Sequence, residues 1–188
     1  MRITGGSFRG RRIATGEGPG YRPATGKVRE ALFSMLAARG LVFADLRVLD
    51  VFAGSGSLGI ECLSRGAVFC RFIEKSRAAA GLIRENLREL GVGRKRFAVS
   101  AEDAGKALAG SCREPFGLVF VDPPYGQGLL APTLARLRAG GWLAQGGLLV
   151  AEVEAGLEFD AQSVAPGLEL LADRDYGQTR ILVWRREQ

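Results

Sequence analysis

Leu118-Val119-Phe120-Val121-Asp122-Pro123-Pro124-Tyr125 is the stretch that decides the fold of this chain. Four consecutive apolar residues, two of them β-branched, read as a strand buried on both faces of a parallel sheet. Neither Pro123 nor Pro124 can donate to a strand ladder, and each holds φ near about −65°. The strand therefore ends at Asp122. A rigid turn then carries a carboxylate and an aromatic ring away from its carboxyl end, which is where open α/β sheets bind ligands.

Reading outward from this strand, apolar β-prone runs alternate with helical patterns. Residues 47–52 predict a first strand, followed by the glycine-rich turn Ala53-Gly54-Ser55-Gly56-Ser57-Leu58-Gly59, which opens a helix to about residue 64. A second strand over 68–73 ends at Glu74, and 78–90 form a helix with Leu82, Ile83, Leu87 and Leu90 inward. A short third strand, 97–99, leads to Glu102-Asp103 and a helix over 104–109. The Asp122 strand is the fourth, 132–139 the next helix, and 148–153 the fifth strand. Residues 168–172 and 180–184 read as a terminal antiparallel pair joined through Tyr176-Gly177. This alternation predicts a doubly wound α/β fold with a mostly parallel, seven-stranded sheet.

The first 40 residues differ in character. Arg2, Arg9, Arg11, Arg12, Arg22, Lys27, Arg29 and Arg39 stand there against only Glu17 and Glu30, so the whole net charge of +6 sits on this segment. A basic arm on a neutral body is the electrostatic footprint of a polyanion binder; the competing reading is an arginine-rich solvated surface. Gly5-Gly6 between short β-prone runs suggests a hairpin, and residues 16–20 a flexible loop. Thr25 is a candidate N-cap for a helix over 27–38, with Val28, Leu32, Met35 and Leu36 on its apolar face and Gly40 at its end. The division predicted is a basic hairpin and helix over 1–40 and an α/β body over 41–188.

Several function classes are excluded by what is absent. There is no histidine, so the commonest general base, the Ser-His and Cys-His pairs and the commonest zinc ligand are all missing. Cys62, Cys70 and Cys112 show no Cys-x-x-Cys spacing and read as small buried hydrophobes in a reducing compartment; no metal site is expected. No run has the length of a membrane span, so a soluble, unprocessed cytoplasmic monomer is expected. Phe69, Trp142 and Trp184 read as core.

The chemistry concentrates at strand ends. The Asp122 carboxylate can accept one N–H of an exocyclic amine, the Pro123 carbonyl can accept the other, and Tyr125 can stack on the ring that bears it. Two acceptors on one side favour a pyramidal, nucleophilic nitrogen. Without that role, the tetrapeptide is only a stiff turn. Gly54-x-Gly56-x-x-Gly59 matches the dinucleotide fingerprint, and Glu74 follows about 20 residues on, where a ribose-binding carboxylate belongs. Both S-adenosylmethionine and NAD present such a ribose. The first is favoured because Asp50 can meet its α-ammonium, Asp103 can accept near its adenine amine, and Asp122–Tyr125 have no role in hydride transfer. Methyl transfer from a sulfonium also needs no histidine.

Asp122-Pro-Pro-Tyr125 resembles the catalytic motif of methyltransferases acting on amino groups of adenine, cytosine or guanine. Arg2-Ile-Thr-Gly-Gly-Ser-Phe-Arg-Gly-Arg-Arg12, Arg22-Pro-Ala-Thr-Gly-Lys-Val-Arg-Glu-Ala-Leu-Phe33, Leu49-Asp-Val-Phe-Ala-Gly-Ser-Gly-Ser-Leu-Gly-Ile-Glu61 and Ser64-Arg-Gly-Ala67 precede it in the order seen in the RsmD family. The chain resembles that family over essentially its whole length. That family usually has Arg-Pro-Thr-Thr followed by an acid, and here Ala24 and Gly26 stand in place of one threonine and the acid. The resemblance implies a class I, Rossmann-like S-adenosylmethionine-dependent methyltransferase acting on the N2 amine of one guanine in 16S ribosomal RNA, alone or in the small subunit. It implies donor binding by Asp50, Ala53, Gly54, Ser55, Gly56, Glu74 and Asp103. Catalysis falls to Asp122, Pro123, Pro124 and Tyr125, and RNA contact to Arg9, Arg11, Arg12, Arg22 and Arg29. The alternatives are an adenine-N6 or DNA methyltransferase, an NAD-dependent oxidoreductase and a non-catalytic RNA-binding module.

Overall fold

The computed structural model describes residues 1–16 and 26–187. Arg22, Thr25 and most of the loop expected over 16–20 lie outside the described residues. Twelve elements follow in order: α1 (Gly26–Ala38), β1 (Arg47–Val51), α2 (Ser57–Ser64), β2 (Phe69–Ile73), α3 (Arg77–Glu89), β3 (Phe97–Ser100), α4 (Ala104–Ala107), β4 (Phe116–Val121), α5 (Leu130–Ala139), β5 (Leu143–Glu154), β6 (Leu168–Tyr176) and β7 (Thr179–Arg186). One seven-stranded sheet runs in the order β3-β2-β1-β4-β5-β7-β6. β1 to β5 pair in parallel, whereas β7 pairs antiparallel with both β5 and β6. The sheet is thus mixed at one end, because the last strand enters between β5 and β6 instead of extending the edge.

Strand side chains alternate between two cores, as the two-residue period requires. Val48, Cys70, Phe72, Leu118, Phe120, Leu148 and Val150 pack toward α2, α3, α1 and the N-terminal arm. Leu49, Val51, Val119, Val121, Leu149 and Ala151 pack toward α4, α5 and the segment around Ala161 and Ala165. Close approach of α2 to the sheet demands Gly59: a β-carbon there would stand 2.3 Å from the Phe72 ring and 2.5 Å from Cys70 Sγ. Trp142 and Trp184 are buried and donate to the Gly110 and Ala161 carbonyls, whereas Phe69 is only half-buried, under the Arg47 guanidinium. Cys62 and Cys70 are buried, but Cys112 is partly exposed.

Two strands are longer than their apolar runs. β5 starts at Leu143 because the chain continues pairing with β4 across a register shift near Gly146, whose glycine reads as a turn. β6 continues through Asp173-Arg174-Asp175, a charged stretch that an edge strand tolerates because β7 is its only strand neighbour. Pro132 lies inside α5, in the first turn, where its missing N–H breaks no helical hydrogen bond.

The N-terminal arm is a small hairpin closed by an Arg2–Arg12 bridge. Ile3, Ile13, Leu32, Phe33 and Leu36 from the first 40 residues join the core of the body. The division near residue 40 therefore separates charge, not packing. Glu61 of α2, 1% exposed, is what the arm is tied to. It accepts the Thr4 N–H at 2.9 Å, the Thr4 hydroxyl at 2.7 Å and the Gly5 N–H at 2.7 Å. Arg65 donates to it at 3.0 Å while lying over the Phe33 ring. Gly6, at φ +77°, lets the arm backbone meet the end of α2: a β-carbon there would fall 1.9 Å from the Ser64 oxygen.

Arg29 requires a correction. It is 2% exposed, pairs with Glu61 at 3.8 Å and donates to the Arg2 carbonyl at 2.7 Å. Its charge faces a buried carboxylate, not solvent, so it anchors the arm and is not placed to contact RNA. Replacing Glu61 with Ala leaves Arg29 without that charge and removes the acceptor of two backbone N–H groups. We expect a loss of about 3–5 kcal/mol in urea denaturation, with tryptic cleavage at Arg9–Arg12 appearing before global unfolding.

Candidate active site

Four acids stand at or near the carboxyl ends of adjacent strands: Asp50 one residue before the end of β1, Glu74 and Asp122 directly after β2 and β4, and Glu152 near the end of β5. One cavity of about 830 Å³ opens over these ends. The glycine turn, Ile73 to Lys75, Glu102 to Ala104 and Asp122 to Tyr125 line it, as do Glu152, Glu154 and the β6–β7 turn. The arrangement follows from the strands: Ala53 and Asp122 extend their ladders by one bond each, to the Ile73 and Val51 carbonyls. The chain then leaves the sheet at the glycine turn and at Pro123.

Glu74 locks the turn. Its two oxygens accept the Gly54 N–H at 2.9 Å and the Ser76 N–H at 2.7 Å, joining the β1 and β2 exits. Ala53, Gly54 and Ser55 line the cavity beside it. Gly56 turns back on Ala53 through a 2.7 Å hydrogen bond and starts α2, and it lies beneath the lining, packed toward Ile83 and Phe72. Phe52, at φ +63°, occupies the left-handed region that costs a non-glycine residue of order 1–3 kcal/mol, and its ring borders the cavity. Asp103 lines the opposite wall and caps α4, accepting the Gly105 and Lys106 N–H groups.

Asp50 sits elsewhere than its reading implied. It is 1% exposed, lies under the turn and accepts the Gly59 N–H at 2.9 Å. It seats the start of α2 and contributes charge from below, without bordering the cavity. Burial, with Glu74 nearby, pushes its carboxyl up to about 7. Asp122 is raised well above the usual carboxylate range by burial and by the Glu152 and Asp50 charges. Tyr125 is 40% exposed, with its hydroxyl 3.2 Å from Thr179 Oγ1 of β7.

Arg9, Arg11 and Arg12 are exposed on the arm. Arg11 also donates to the Glu89 and Leu90 carbonyls at the end of α3, which fixes its direction. Two residues that bound the site escaped the sequence reading, Glu152 and Thr179. The signal for Glu152 was present, since Val150-Ala151-Glu152 repeats the pattern of Phe120-Val121-Asp122. Thr179 carries no local signal; the hairpin brings it there.

The cavity is strongly acidic. Glu74, Glu102, Asp103, Asp122, Glu152 and Glu154 face Lys75 as its one lining cation among the described residues. Such a field favours a cationic ligand and repels a diphosphate. Among the described residues no cluster of His, Cys, Asp or Glu is arranged to hold a metal ion, and no helix is long and apolar enough to cross a membrane.

A family model described as "Conserved hypothetical protein 95" matches residues 1–185. "Ribosomal RNA small subunit methyltransferase D" of Escherichia coli K12 is 39% identical over 187 residues, covering 100% of this chain and 90% of that protein. The protein of the same name from Haemophilus influenzae is 33% identical over 155 residues, 82% of this chain and 79% of that protein. The solved structure of yhhF from Escherichia coli superposes with a TM-score of 0.87 at 38% identity, covering 100% of this chain and 98% of that one. The ribosomal protein L11 methylase from Lactobacillus delbrueckii shares the fold, with a TM-score of 0.67 at 17% identity over 84% of this chain and 78% of its own.

Raised carboxyls have a consequence for stability. Asp50 and Glu152 both shift to about 7 in the folded protein, above their unfolded values, so the native state binds more protons than the unfolded chain between about pH 4 and 7. Stability contributed by these groups is therefore highest below that window and is lost as pH rises through it. Asp50→Asn removes one such proton, and the fall in urea midpoint between pH 4.5 and 7.5 should be visibly shallower in that variant. An identical slope would mean that Asp50 is ionised throughout.

Proposed function

The chain belongs to the RsmD family, and on that premise we propose that it transfers a methyl group from S-adenosylmethionine to the exocyclic N2 amine of one guanine in 16S ribosomal RNA. The observation that carries the reading is the single acidic cavity shared by the glycine turn and Asp122–Tyr125. It brings the exits of β1 and β2 into the same space as an acceptor pair and a partly exposed aromatic ring. A donor bearing a sulfonium and an ammonium suits this charge, whereas the diphosphate of NAD opposes it. S-adenosylmethionine supplies a methyl group already activated by its positive sulfur.

The protein's work is then positioning. Glu74 accepts the ribose hydroxyls while bracing the turn, and Asp103 offers an acceptor on the opposite wall. Asp50 holds the first turn of α2 in place and strengthens the cationic preference from below. A guanine leaves its stack and enters beside Pro124, since an amine inside a helix cannot reach the donor. Asp122 and the Pro123 carbonyl accept hydrogen bonds from the two N2 hydrogens and direct the nitrogen lone pair away from themselves, and the proton in excess after transfer leaves to water. Tyr125 covers the base, with its hydroxyl steadied by Thr179. Orientation of this kind supplies roughly 7–11 kcal/mol in well-aligned reactions. Arg9, Arg11 and Arg12, with Arg22, grip phosphates, and the arm over 1–40 serves as the RNA-holding part of a body that carries the chemistry. Such a substrate, free or in the small subunit, places the work in the cytoplasm.

The reading is tested by incubating the protein with labelled donor and small subunits that lack the modification, then identifying the labelled nucleoside. N2-methylguanosine is expected; label on adenine, or on DNA supplied in parallel, would sink it. Asp122→Ala should slow single-turnover transfer by about 100-fold while calorimetric donor affinity changes little. A collapse of donor affinity instead would make Asp122 a cofactor ligand. Changing Arg9, Arg11 and Arg12 together to Ala should reduce the slope of log K against log salt by roughly two to three. An unchanged slope removes the arm from RNA binding.

A further inference from the structure

Ala151 of β5 pairs with Val121 of β4, so the next residues, Glu152 and Asp122, stand level on adjacent parallel strands about 4.8 Å apart. Both line the cavity. Glu152 is 5% exposed. Thr179 Oγ1 lies 3.2 Å from Tyr125 Oη. The Tyr125 ring and the Glu152 carboxylate therefore border the same space as Asp122, the acceptor that holds the amine. The methyl-transfer step described above makes no use of Glu152.

A nearly buried carboxylate aimed into a base pocket needs a donor. Guanine supplies one next to its 2-amine, the N1–H, on the same edge. Adenine presents a bare lone pair beside its amine, which a carboxylate repels. Resting on the reading that the target is a guanine amine, we propose that Glu152 accepts the N1–H of the flipped base and is the residue that selects guanine.

The test uses small subunits assembled with either guanine or 2-aminopurine at the methylated position. 2-Aminopurine keeps the amine that receives the methyl group but carries a lone pair in place of N1–H. Single-turnover transfer by the unsubstituted protein should be about 10- to 100-fold slower on 2-aminopurine, the range carried by a hydrogen bond to a charged group. Glu152→Gln should bring the two rates together, because an amide offers N–H to the bare nitrogen as readily as oxygen to N1–H. A Glu152 that merely supports the strand would slow both substrates alike and leave the ratio unchanged, which overturns the inference. Equal rates with the unsubstituted protein overturn it without any variant having to fold. Label found on adenine and absent from guanine would mark failure of the guanine-N2 reading itself.

Discussion

Negative charge gathered at one end of the sheet is the constraint around which this molecule is arranged. Asp50, Asp122 and Glu152 stand at or near the carboxyl ends of neighbouring strands on the same face, and burial raises the carboxyl of each. Two like charges at such spacing, out of water, disfavour joint ionisation. What makes the arrangement tolerable is the pair of apolar cores beneath it, since Val51, Val121 and Ala151 fix the strand ends from one side and Phe72, Phe120 and Val150 from the other. The local hydrogen bonds then read as restraint on the acids: Gly59 holds Asp50, and Gly54 and Ser76 hold Glu74. The same charge is what the sulfonium and ammonium of a methyl donor would offset.

The opposite sign is kept apart. Arg9 and Arg12 are exposed on the arm, while Arg29 and Arg65 turn inward onto Glu61. One buried carboxylate thus serves the arm as a socket, whereas the strand-end carboxylates serve the cavity. They differ because Glu61 has two guanidinium groups within ion-pair reach and the acids of the row have none among the described residues.

Much of this was legible in the residues. The Pro-Pro stop after Val121, the glycine turn and the apolar strands gave the order of elements, because each rests on local backbone chemistry. The basic arm was visible from charge alone. What escaped depended on neighbours. Arg29 is identical in type to Arg9 and Arg12, and only the fold reveals that α1 turns it onto Glu61. β6 and β5 outran their apolar runs because pairing with β7 and β4 supplies what composition does not. Asp50 has the position of a ligand in sequence, yet α2 descends over it and takes its oxygen for Gly59. Thr179 belongs to the site only because β7 enters the sheet between β5 and β6.

The arm is held by its backbone. Glu61 accepts the N–H groups of Thr4 and Gly5, and Gly6 touches the end of α2 where no side chain fits. None of these contacts involves the side chains of Arg9 or Arg12. Arg11 apart, whose guanidinium also holds the end of α3, attachment and recognition are therefore written in separate alphabets on the same dozen residues. The outward letters are free to drift toward a different RNA surface, in evolution or by design, while the grip on the enzyme stays as it is.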